Sequence, residues 1–174
     1  MVNLTVYIQT KQSDLECLTA LHTIQTTVPQ FDLARLVRYV VWDIEISGDL
    51  ESAKTHVDSL LNDTYFLMNP NKETATLLFP TQDMMSLMVS MKQNHISPGK
   101  LQLIQKQVSS DIQQISRSIL WGIDGPSLLH KNPIVLQDEC EQWVLPILCN
   151  TIFEKYTLYH PHSIQQMVNS VQSH

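Results

Sequence analysis

RYVVWDIEI (Arg38–Ile46) returns, altered, as RSILWGIDG (Arg117–Gly125). Each stretch holds Arg, three residues, Trp, one residue, then Ile and an acid. The chain has 3 Trp, and these are two of them. Trp121 follows Trp42 by 79 residues, Lys92 follows Lys11 by 81, and Phe153 follows Phe66 by 87. The spacing drifts at loops, where insertions are tolerated. The chain therefore reads as one unit written twice, and the fold is read one unit at a time.

Around the first stretch, Phe31–Ile46 is rich in β-branched and aromatic residues, the composition of strands. Its 16 residues exceed a usual strand. Two strands are expected, joined by a turn or bulge near Arg38–Val40. In the second, Trp42, Ile44 and Ile46 share one face, and Asp43 and Glu45 the other. Upstream, Leu4, Val6 and Ile8 alternate with polar residues, as in a half-buried strand. Ser13 and Asp14 can cap a helix, along which Leu15, Leu18, Leu21 and Ile24 are expected to form one apolar stripe. Downstream, Ser47 and Asp49 are cap candidates for a second helix carrying Leu50, Ala53, Val57, Leu60 and Leu61. NPNKE is a turn, and Thr74–Phe79 reads as the last strand.

The order β-α-β-β-α-β predicts a ferredoxin-like unit with both helices on one sheet face. About 80 residues make a marginal core, and the free sheet face needs a partner. The second copy is expected to cover it. Residues 1–80 form the first repeat, 84–160 the second, and 161–174 a tail. In the second copy Pro98 opens a helix with Leu101, Ile104 and Val108, DIQQISRSILWGID repeats the paired strands and DECEQWVLPILCN the second helix. The fold class is thus α+β: two tandem units forming a pseudo-dimer within one chain, plus a short C-terminal helix.

Composition narrows the function. The net charge is -6, from 11 basic and 17 acidic residues, which disfavours bare nucleic acid or an anionic membrane as partner. No apolar run reaches the length of a membrane span, and the N-terminus lacks the pattern of a signal peptide. Cys17, Cys140 and Cys149 have no CxxC spacing, so buried or half-buried thiols in a reducing cytosol are expected. With 4 Gly, a glycine-rich phosphate loop is disfavoured. No Walker, GxGxxG or GxSxG pattern occurs.

His160 and His162 would need a third ligand and an orienting partner to hold a metal, so neither a metal nor a cofactor is assigned. His22 and His56 fall within helices as surface or boundary residues. Asp43 and Glu45 resemble an acid–base pair but read more simply as a solvated strand face. Arg38 and Arg117 suggest anion binding, against the plainer reading that each pairs with an acid. GPSLLHKNPIVLQ (Gly125–Gln137) is too apolar to be merely solvated. In the tail, Ile164, Met167, Val168 and Val171 have the spacing of an amphipathic helix.

Lys92, Ile96, Ser97 and Pro98, followed by ILCNTIFEKYTLY (Ile147–Tyr159) through Leu148, Asn150, Ile152, Glu154 and Tyr156, resemble the PurS family. That family is the small subunit of phosphoribosylformylglycinamidine synthase. Arg38, Val40, Trp42, Ile44 and Glu45 resemble a stretch in the N-terminal domain of the long single-chain enzyme, which is built like two joined PurS units. The resemblance covers nearly the whole chain as two copies. It departs at KQSDLE, which lacks an Asp-Pro-Gly turn, at the missing glycine between the paired strands, and at Gly125–Gln137.

The resemblance implies a cytoplasmic, non-catalytic subunit of an ATP-dependent glutamine amidotransferase complex of purine biosynthesis. It would bridge the synthetase and glutaminase subunits and carry no self-contained catalytic site or cofactor. A homo-oligomer is a further option. Interface candidates are His95, Ser97 and Pro98 in the first loop, Leu128, Leu129 and Ile134 in the apolar loop, and Ile164, Met167 and Val171 in the tail. The alternative is a ferredoxin-like regulatory module that senses a small molecule. A stand-alone enzyme lacks any reactive constellation in the sequence.

Overall fold

The computed structural model describes residues 1–79, 86–149 and 155–160. It is an α+β protein with a six-stranded antiparallel sheet. The elements are β1 (Val2–Thr10), α1 (Leu15–Thr27), β2 (Arg35–Ile46), α2 (Leu50–Asn62), β3 (Glu73–Thr76), β4 (Leu87–His95), α3 (Pro98–Gln107), β5 (Ile112–Asp124), α4 (Pro133–Glu139), α5 (Leu145–Leu148) and β6 (Lys155–Tyr159). The strand order is β3-β1-β2-β5-β4-β6. With β4, β5 and β6 set against β1, β2 and β3, it reads the same from either edge.

The two strands expected over Phe31–Ile46 are one. β2 runs through Arg38–Val40 without a turn. Its alternation fails because Leu36 and Val37, then Val41 and Trp42, are buried in pairs, so mid-strand residues are covered on both faces. The apolar run Tyr39–Trp42 breaks the alternation that would mark a single strand, and the length of the segment then suggests two short ones. The observed order is therefore β-α-β-α-β in the first half. The second half does not stack a second sheet on the first, because all six strands belong to one sheet. At the ends of the β2–β5 ladder, the Ala34 N–H donates to the Asp124 carbonyl (2.9 Å) and the Ser47 N–H to the Asp111 carbonyl (2.8 Å).

The chain forms two compact units, each drawing on both halves. Unit one holds Met1–Gln12, Tyr39–Pro80 and Gln93–Ser118. Its core joins Val6 and Ile8 of β1, Trp42, Ile44 and Ile46 of β2, Ala53, Val57 and Leu60 of α2, and Ile104, Ile112 and Ile115 from the second half. The predicted stripe of α2 is buried from Ala53 to Leu61, while Leu50 lies outside it. Asp49 caps this helix by accepting from the Ser52 N–H at 2.9 Å.

Unit two holds Ser13–Arg38, Thr81–Lys92 and Ile119–His174. The stripe predicted for α1 does not face the core as a whole. Cys17 and Ile24 are buried, but Leu15 is 76% exposed. Steps of three residues lose about 60° each on a helix of 3.6 residues per turn, so positions 15 and 24 point oppositely. The segment Gly125–Gln137 is partly helical: α4 begins at Pro133. A widened turn, Cys140–Val144, links α4 to α5, with the Leu145 N–H bonded to the Cys140 carbonyl. Pro146 follows. A proline ring clashes with the carbonyl four residues back, and one extra residue in the preceding turn relieves that clash.

Candidate functional site

The long strands bring the repeated stretches together in a way the sequence reading missed. Arg38 Cζ lies 5.7 Å from the ring centre of Trp121, and Arg117 Cζ lies 5.9 Å from that of Trp42. Each arginine thus stacks on the tryptophan of the other copy. The first pair lies in unit two and the second in unit one. The signal was present in the sequence: equal spacing on two antiparallel strands places each Arg beside the other strand's Trp.

The surroundings of Arg38 support the plainer reading of that residue. Asp14 Oδ2 is 3.2 Å from Arg38 Nη1, and Glu16 Oε2 is 2.7 Å from Nη2. Asp14 also caps α1, its Oδ1 accepting from the Cys17 N–H. Asp43 is exposed and accepts from the Thr5 hydroxyl at 2.7 Å, which suits a solvated strand face. His22 is exposed, and His56 lies 3.5 Å from Asp111.

Cys17, Cys140 and Cys149 are buried and take part in no disulfide. Burial, and then the Asp14 charge, push the Cys17 pKa up to about 11. Burial, and then Glu141, push Cys140 up to about 12. Such thiols stay protonated near neutrality and are poor nucleophiles. Among the described residues, no group of three or more His, Cys, Asp or Glu side chains is placed to hold a metal ion. His162 lies outside the described residues.

The interface candidates separate into two sets. His95, Ser97 and Pro98 are exposed and lie in unit one. His95 ends β4, Ser97 caps α3 by accepting from the Lys100 N–H, and Pro98 opens that helix. In unit two, Leu129 is 62% and Ile134 71% exposed, and Val135, next to Ile134 in the chain, is also exposed. Leu128 is a correction: at 1% exposure it can touch no partner. It lies in the short helical turn Leu128–His130, where neighbours point to different sides, so Leu128 fills the core and Leu129 faces out. Ile164, Met167 and Val171 lie outside the described residues.

No protein-family model matches the chain, and no curated protein matches it.

Proposed function

We propose that the chain is a fused pair of PurS-like halves, residues 1–80 and 84–160, acting as a non-catalytic bridging subunit of phosphoribosylformylglycinamidine synthase. The reading rests on the resemblance in Arg38–Glu45 and Ile147–Tyr159. The observation that carries it is the strand order, in which β4, β5 and β6 repeat the places of β1, β2 and β3.

Finer pairs support the duplication. Gln25 Nε2 donates to the Leu33 carbonyl as Gln105 Nε2 donates to that of Ile112. The Val28 N–H closes α1 on the Ile24 carbonyl as the Val108 N–H closes α3 on Ile104. Tyr7 pairs with Thr76 as Met88 pairs with Tyr159. Joining two such halves keeps their effective concentration near millimolar or above. Leu129 and Ile134 are exposed apolar side chains that a partner surface could cover.

The test is copurification with the synthetase and glutaminase subunits, with formylglycinamide ribonucleotide and glutamine present. A complex of all three is expected, and the chain alone should turn over neither substrate. A double change, Leu129→Asp with Ile134→Asp, should weaken the complex at least about tenfold, roughly 1.4 kcal/mol, with the melting temperature held. Failure of the chain to bind either subunit overturns the assignment.

A further inference from the structure

We draw no further inference here: the strongest candidate, the outer edge of β1 over Val2–Val6 in unit one, which β3 does not reach because it pairs only with Tyr7–Thr10, is a strand edge that another chain could extend, but nothing in the structure shows what covers it.

Discussion

At the scale of single residues, the tightest constraint lies where the turn after β5 meets the turn before β2. Asp32 has φ of 58°, in the left-handed region, and its Oδ2 accepts from the Ser127 N–H at 3.1 Å. A Cβ on Gly125 would sit 2.1 Å from the Asp32 carbonyl oxygen. Backbone cannot yield as a side-chain tip can, so Gly125→Ala should cost about 3 kcal/mol or more. Gly99→Ala meets open space in a helix and should be neutral or stabilise by up to about 1 kcal/mol. Urea titrations of the two variants check the contrast, which equal effects would contradict.

Cys17 and Cys140 set a second expectation. Their raised pKa values mean that the folded state holds its protons more tightly than the unfolded chain does. The stabilisation is complete below the ordinary thiol pKa of about 8.5 and is lost as pH rises toward the folded values. Stability should therefore fall between about pH 9 and 11. Both thiols should also resist alkylation at neutral pH until the chain is unfolded. Rapid labelling of either one in the native protein would contradict their burial. The sequence points to buried or half-buried cysteines but names no neighbours for them, because Asp14 and Glu141 approach only through the fold.

At the scale of elements, α1 shows where a pattern misleads. Four apolar residues at steps of three look like a stripe, yet only the part that keeps helical phase with the core is buried. Leu15→Lys should change stability by less than about 0.5 kcal/mol, whereas Ile24→Ala should cost about 3. Thermal unfolding separates these outcomes, and a large loss from Leu15→Lys would restore the simple stripe. α2 was legible because Ala53, Val57, Leu60 and Leu61 hold their phase over the whole helix. β2 was legible as strand but not in length: the apolar run Tyr39–Trp42 breaks the alternation and does not reveal that both faces are covered. The turn Cys140–Val144 could be anticipated only through Pro146, and a proline inside an apolar helix signals a break as readily as a widened turn.

At the scale of the whole molecule, the repeat could be read from Arg38–Ile46 and Arg117–Gly125 before any strand was placed. What could not be read was how the halves share their parts. Unit one combines α2 of the first half with α3 of the second, and unit two combines α1 with α4 and α5. Local periodicity fixes which residues face a core but carries no information about which half supplies the other side of that core. Ile104, Ile112 and Ile115 complete a core otherwise built from residues 6–68. Each contributes about 2–3 kcal/mol by burial, so the first half alone lacks a substantial part of its own packing.

Splitting the chain between the halves tests the fused pair directly. Residues 1–80 and 84–174, made as separate polypeptides, should each lack a cooperative thermal transition. Mixed in equal amounts, they should assemble into a one-to-one complex that melts cooperatively. A fragment 1–80 that folds cooperatively as a monomer, and gains nothing from its counterpart, would contradict the shared cores and the fused pair with them.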